Sequence, residues 1–398
     1  MNKLSKDSLT LLIIGCLFNA GLTIASTFVN VYLIRLTNNM GLMILQNIAN
    51  YFMIICGFIF GTYFTQKGGK MLSLLRFGIL GVVAYYALVL LLKEKASDYL
   101  IILGLFYGIG QGFYYFTFNL LIGKLLKVHE QSKFFGFQQS FSYFFGTIAP
   151  AISGYIIVRF TELTGYYVLF GTAVLVYFLA IVFSARLKQV ESNETFSLLP
   201  VFKEKGNKHW DLLKYIGFTF ALREVIYAQV FTVVAYLIIS NEATIGNLTS
   251  IMSLIAVLSS IFIASKFTAK THGKYHLIYS IAYAISLGCL GIFATPVTLC
   301  LSFIINGVVI VWNNVIYSSY VYPLAEYASG TYTKSDYIVV VEVFLALGRV
   351  LGLLVFYILN LFIDSFILYR ILLVAITLLP FIDHVVIKNK INWNIEQA

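Results

Sequence analysis

Polar side chains recur at helical spacing inside long apolar runs of this 398-residue chain, and any chemistry it performs must begin there. Asn19, Thr23, Ser26, Thr27 and Asn30 stand at offsets of 4, 7, 8 and 11, on one face of a helix. Gln111, Tyr115 and Asn119 follow at i, i+4 and i+8, with Tyr107 and Tyr114 nearby. Asn306, Asn313 and Tyr317 make a third stripe, with Trp312 and Asn314 beside it. Amides and hydroxyls in hydrocarbon are costly unless they meet a partner or water, so three such stripes exceed what packing requires. Any one stripe can serve as hydrogen-bond glue between helices; the three together point to a water-filled, aromatic-lined cavity. Ionisable groups are fewer. Arg223, beside Glu224, lies about 12 Å into its run at 1.5 Å per residue, and Glu342 and Arg349 lie one heptad apart on one face of a later run. Arg223 and Glu342 can meet at similar depth, and either arginine can neutralise Glu342. Glu342 or Glu224 can then exchange a proton, or can form a fixed pair that holds a gate.

Covalent and metal chemistry find little support. Cys16, Cys56, Cys289 and Cys300 lie singly in apolar runs with no CxxC spacing and read as small core residues. His129, His209, His272, His276 and His384 lack metal-ligand spacing and are expected at the surface. The carboxylates are scattered rather than clustered with a nucleophile, and no Gly-x-x-x-x-Gly-Lys-Ser/Thr loop is present. These features disfavour a membrane-embedded enzyme and an ATP-driven pump, and imply neither a cofactor nor a metal.

Apolar types make up 60% of the chain and charged types 11%, less than half the roughly 25% usual for a soluble protein. A polar shell for water-soluble domains cannot be built from that, so the chain is an integral membrane protein. A spanning helix needs about 20 mostly apolar residues. Twelve such runs are expected: 9–33, 42–64, 73–92, 99–122, 134–158, 165–185, 215–239, 247–265, 275–294, 297–321, 337–361 and 366–386. The first is too long for a signal peptide and lacks a small-residue cleavage pattern. With the N-terminus inside, 20 lysines and arginines fall in cytoplasmic segments and 4 outside (Arg35, Lys93, Lys95, Arg159), with Arg223, Arg349 and Arg370 inside spans. This asymmetry places both termini in the cytoplasm of a multi-pass plasma-membrane protein. The net charge of +10 is thus a topology signal and an affinity for anionic membrane lipid, not a nucleic-acid footprint. Residues 186–214 form the one sizeable linker, read as a solvated tether carrying Lys203, Glu204, Lys205, Lys208, Asp211 and Lys214. The linker separates a six-helix bundle at 1–185 from another at 215–398.

The halves are related. Phe64–Thr65–Gln66–Lys67–Gly68–Gly69–Lys70 follows the second span, and Phe267–Thr268–Ala269–Lys270–Thr271–His272–Gly273–Lys274 follows the eighth, about 203 residues later with one insertion. Gly61, Gly68, Gly69 and Lys70 resemble the Gly-x-x-x-Asp-Arg-x-Gly-Arg-Arg/Lys signature of the major facilitator superfamily of secondary transporters. Thr65 and Gln66 replace its acid and arginine, which removes the usual ion-pair latch but leaves a tight basic turn. Gly146, Ala149, Pro150, Ser153 and Gly154 resemble, one position out of register, the fifth-helix motif of drug and proton antiporters; the same residues suit plain helix packing. Gly112–Phe113–Tyr114 before Asn119, Leu222–Arg223–Glu224 before Asn241–Glu242, and Glu342 before Gly348–Arg349 resemble a poorly characterised bacterial branch of the superfamily.

This resemblance implies an all-α membrane fold of twelve helices in two pseudo-symmetric six-helix bundles, rocking about a site lined by helices one, four, seven and ten. The cavity would then hold Asn19, Thr23, Thr27, Asn30, Gln111, Tyr115, Asn119, Tyr227, Asn306, Asn313 and Tyr317, with Tyr107, Tyr114 and Trp312 around it. Arg223, Glu224, Glu342 and Arg349 would couple or gate. The expected function is proton-coupled movement of a small organic solute by a monomer, with a flippase for lipid-linked sugars or lipids as the alternative of the same fold. If the orientation is right, a fluorescent protein fused after Ala398 fluoresces, whereas alkaline phosphatase fused there stays inactive; the opposite pair of signals would reverse the topology.

Overall fold

A computed structural model describes residues 5–126, 128–188, 197–266 and 272–390. Among them, eleven continuous helical stretches are long and apolar enough to cross a membrane, and one of these, Met71–Leu125, contains two helices joined by a 3-10 turn over Lys93–Tyr99. Twelve crossings result. In chain order they are α1 (Lys6–Thr37), α2 (Met40–Gln66), α3 (Met71–Leu92), α4 (Leu100–Leu125), α5 (Val128–Arg159), α6 (Thr164–Ser184), α7 (Lys208–Ile239), α8 (Glu242–Lys266), α9, α10 (Pro296–Ala328), α11 (Lys334–Asn360) and α12. α9 runs through His272–Tyr283, a π turn at Ala284–Gly288 and Cys289–Phe293. α12 is broken into Ser365–Ile376 and Leu379–Lys390. Pro380 explains that break, since it lacks an N–H and its ring crowds the carbonyl four residues back.

Helix starts and stops repeat at a fixed interval. Ser5 caps α1 and Asn207 caps α7; Asn38 and Ser240, both left-handed, end those helices; Asn39 and Asn241 then cap α2 and α8. Members of each pair are 202 residues apart. A side-chain oxygen at each N-cap takes an otherwise orphaned helix N–H, so these positions define where each span begins. The repeated segment at Phe267–Thr271 lies outside the described residues.

Packing divides the chain into two compact units, Met1–Phe196 with Asn241–Asn247, and Ser197–Ser240 with Leu248–Ala398. The first unit is built on glycine. Gly104, Gly108 and Gly112 of α4, spaced by four, lie against the carbonyls of Gln46, Asn50 and Ile54 on α2, while Gly110 meets Gly78 and Gly81 of α3. With no apolar driving force between helices in lipid, close backbone approach of this kind supplies the van der Waals contact that holds them together. The small residues of α5 do similar work: a side chain at Gly154 would overlap the Glu242 carbonyl, and one at Gly246 would overlap that of Pro150.

In the second unit, α7 packs along α10, α11 and α12. Ser302 Oγ donates to the Ser286 carbonyl at 2.7 Å, tying the π turn of α9 to α10. The linker is not a free tether from Ser197 onward. A short helix, Leu198–Lys203, is docked by Trp210 Nε1 on the Val201 carbonyl (3.0 Å), Tyr337 OH on Glu204 (2.6 Å) and the Ser197 N–H on Asp336 (3.0 Å). α7 accordingly starts at Lys208, seven residues before the hydropathy boundary, because Asn207 caps it and the buried Trp210 anchors its first turn.

A methyl group at Gly108 would collide with the Asn50 carbonyl oxygen and Met53, whereas Gly171 has nothing within 4 Å. Gly108→Ala should therefore destabilise the protein by about 1–3 kcal/mol through overpacking. Gly171→Ala should be neutral or slightly stabilising through helix propensity. Melting temperatures in detergent would check both, and equal shifts would refute the packing role of Gly108.

Candidate functional site: a polar cavity in the second unit

Arg223 sits on α7 in the interior of the second unit, 5% exposed. Nη1 donates to Asp383 Oδ2 of α12 at 2.9 Å and Nη2 to Asn313 Oδ1 of α10 at 2.7 Å. Asn313 Oδ1 also accepts from Tyr279 OH of α9 at 2.8 Å. The guanidinium carbon lies 5.8 to 6.0 Å from the ring centres of Phe220, Tyr279 and Tyr283, within the range where a cation is drawn to an aromatic face. Four helices thus meet at one cation. Asp383 is 6% exposed, and Tyr215 directs its hydroxyl to the same carboxylate.

Beside this pair opens a cavity of about 110 Å³, lined by Arg223, Glu224, Tyr227, Tyr283, Asn306, Asn313 and Asn314 with Val309 and Ile310. It is smaller than the roughly 300–1,000 Å³ that encloses a drug-sized ligand, so it suits one polar ring or headgroup. Asn306 is 1% exposed, and its amide nitrogen has no hydrogen-bond partner among the described residues. Tyr227 reaches Met252 Sδ at 3.9 Å and stacks on Phe231, and Tyr317 stacks on Phe220 at 4.0 Å.

The other charged residues lie close by, but Arg223 meets Asp383 rather than Glu342. Arg349 holds Glu224 Oε2 through Nη2 at 2.8 Å and Nε at 3.3 Å. Glu342, half-buried on α11, has Arg349 and Glu224 as its charged neighbours. The two ion pairs differ in weight. The Glu224–Arg349 side chains are 44% and 21% exposed, where a pair is worth about 0–1 kcal/mol. Arg223 and Asp383 are 6% and 8% exposed, and removing one partner of such a pair costs about 3–5 kcal/mol.

Polar residues of the first unit are more dispersed. Thr23 and Thr27 turn their hydroxyls back onto the carbonyls of Asn19 and Thr23 at 2.8 and 3.0 Å, and Asn30 lies 3.5 Å from Asn47 Nδ2. Asn19 is half-buried, Gln111 buried, Tyr115 half-buried and Asn119 exposed. Gln111 and Tyr115 stand 202 residues before Asn313 and Tyr317, so α4 and α10 carry an amide and a tyrosine at matching positions. Tyr107, Tyr114 and Trp312, expected around the cavity, each make close contacts within their own unit. Tyr114 stacks on Phe18 at 3.4 Å, Tyr107 on Tyr85 at 4.5 Å, and Trp312 donates to Ser259 at 2.9 Å. Large flat rings gain most by mutual contact, which draws them into the interior. In the signature loop, Gly61 admits the Phe116 ring, Gly68 has φ +74° and Lys70 is the exposed N-cap of α3.

His276 corrects the surface expectation: it is 3% exposed, with Nδ1 3.5 Å from Tyr320 OH and its ring 5.2 Å from that of His384. Asp383, Tyr279 and Tyr283 were not singled out by stripe spacing. A lone carboxylate inside a span was the available signal for Asp383. The first unit has a comparable pair that the sequence also hid: Arg35, assigned to a loop but within α1, holds Glu242 at 2.7 Å, with Tyr166 OH on the same oxygen at 2.9 Å.

Residues 11–353 match the sequence profile of the Major Facilitator Superfamily. The chain belongs to that superfamily. It is a multi-pass secondary transporter and not an enzyme. The uncharacterised protein YqgE of Bacillus subtilis (strain 168) is 29% identical over 364 residues, 88% of this chain and 82% of that protein. An uncharacterised protein from the sodM 3' region of Geobacillus stearothermophilus is 32% identical over 164 residues, 41% of this chain and 76% of that protein. Among solved structures, the POT family transporter PepTSo aligns over 100% of both chains with a TM-score of 0.75 at 11% identity. The nucleoside transporter NupG gives 0.73 at 11% identity over 97% of this chain and 100% of that one. A D-xylose-proton symporter gives 0.68 at 16% identity, over 94% and 96%. At such identities the likeness is one of fold.

Asp383 and Arg223 should behave as a unit. Arg223→Leu alone is expected to lower stability by about 3–5 kcal/mol, and Arg223→Leu with Asp383→Leu by clearly less, because no buried charge is left over. Glu224→Ala should stay within about 1 kcal/mol. Thermal unfolding of these three variants and the wild type would test this, and a double variant no more stable than Arg223→Leu alone would exclude the pairing.

Proposed function

We propose that this transporter carries a small organic solute across the plasma membrane by alternating access, coupled to protons, with both termini in the cytoplasm. The observation that carries the reading is the cavity of the second unit, where Asn306, Asn313, Asn314 and Tyr227 present hydrogen-bonding groups and ring surface beside an arginine neutralised by Asp383. Polar groups are retained inside a span where they meet a solute, an ion or one another; here Arg223 meets Asp383, Asn313 meets Tyr279, and Asn306 is left for the solute. Gln111 and Tyr115, at the matching positions of α4, are assigned to the same task, as are Asn19, Thr23, Thr27, Asn30 and Asn119 along the first-unit stripes. Tyr317 closes the α10 stripe.

Coupling is assigned to the α7–α11 group. Glu224 and Glu342 share one cation, Arg349, so a single proton balances their charge, and gaining or losing that proton changes the field across the Tyr317 hydroxyl. In vesicles containing a pH-sensitive dye, added hexoses, polyols or nucleosides should drive proton flux through the wild type. Glu342→Gln should abolish that flux while the same solute still raises the melting temperature. Unchanged dependence on the proton gradient in this variant would remove Glu342 from the coupling role.

A further inference from the structure

A buried arginine in a transporter ordinarily points to an anionic cargo, because a guanidinium offers carboxylate or phosphate two parallel hydrogen bonds. Both terminal nitrogens of Arg223 already carry a partner. Nη1 is engaged by Asp383 and Nη2 by Asn313, at 2.9 and 2.7 Å, and three aromatic rings stand within 6.0 Å of the guanidinium carbon. Arg349 is committed too, with Nε and Nη2 both on Glu224. Counting Glu342, the group around the cavity sets three carboxylates against two arginines. An anion entering here meets a field that is neutral at best, and must compete with a carboxylate for each guanidinium.

Among the described residues the amide nitrogen of Asn306, 1% exposed, has no hydrogen-bond partner, and an unpaired buried donor favours any ligand that brings it an oxygen. Asn313 and Asn314 add amide groups to the same lining, while Tyr227 and Tyr283 add ring faces. We propose that this cavity binds an uncharged solute whose hydroxyl or carbonyl oxygen accepts from Asn306, and that Asp383, by occupying Arg223, is the selectivity residue that turns anionic solutes away. The inference rests on the transporter reading above and adds the substrate class and the residue that sets it.

The test uses purified full-length protein and matched probes: glucose against glucuronate, inositol against inositol phosphate, and uridine against its monophosphate. A neutral member should raise the melting temperature and its charged partner should not, and Asn306→Ala should weaken the neutral probe's apparent affinity at least tenfold. Asp383→Asn, which keeps the side-chain volume but frees the charge of Arg223, should acquire stabilisation by the carboxylate or phosphate members. A charged probe that stabilises the wild type as well as its neutral partner overturns the proposal, as does silence of every neutral probe. An Asp383→Asn protein that is folded and monodisperse yet gains nothing from any anion also overturns it. If Asp383→Asn does not fold, the Asn306→Ala comparison decides, and unchanged affinity for the neutral probe counts against the site. The proton-flux assay fails separately: binding of neutral probes without flux would defeat the transport reading alone, and flux with only charged solutes would defeat this inference alone.

Discussion

Hydrocarbon supplies no hydrogen bonds, so every polar group placed inside a span must be satisfied by the protein, by a solute or by another polar group. Much of the second unit follows from how that constraint is met at Arg223. A guanidinium 95% removed from solvent draws Asp383 from α12, Asn313 from α10 and, through Asn313, Tyr279 from α9. The aromatic rings around it fill the remaining volume and face the positive charge with their negative π surfaces. The cavity next to this group shares Arg223 and Asn313 with it, and Glu224, Asn306 and Asn314 add further polar groups to its wall.

The first unit meets the same constraint by different means. Its core relies on glycine contacts between α4 and its neighbours α2 and α3, and on a cluster of stacked and edge-to-face rings that includes Phe18, Tyr86, Tyr107, Tyr114 and Tyr177. Threonine hydroxyls along α1 are returned to the backbone one turn earlier, which satisfies them without a partner helix. Backbone approach and ring stacking therefore carry most of the cohesion, and few charges are needed.

The fold was readable from composition and hydropathy because lipid imposes a length on every crossing, and the helices follow the apolar runs to within several residues. Where boundaries moved, the cause was local. Asn207 and Trp210 extend α7 toward the linker, and Pro380 divides α12. The halves could be matched at an offset near 202, but the loop motif alone did not show that Gln111 and Tyr115 pair with Asn313 and Tyr317. The site was less legible. Helical spacing identifies residues on one face of one helix; it cannot say which face of another helix lies opposite. Arg223 could be recognised as a buried cation, yet nothing in its neighbourhood in sequence points to Asp383, 160 residues later. Tyrosines were ambiguous for a related reason, since the same ring serves a wet wall or a dry core depending on neighbours that spacing does not reveal.

The Asn313 amide receives Arg223 and Tyr279 on one and the same oxygen while bordering the cavity. An amide held in this way cannot rotate independently: turning it to greet a guest would withdraw the acceptor from both donors at once. Asn313 therefore leaves a guest only its amide nitrogen, while its oxygen stays spent on tying α7 and α9 together.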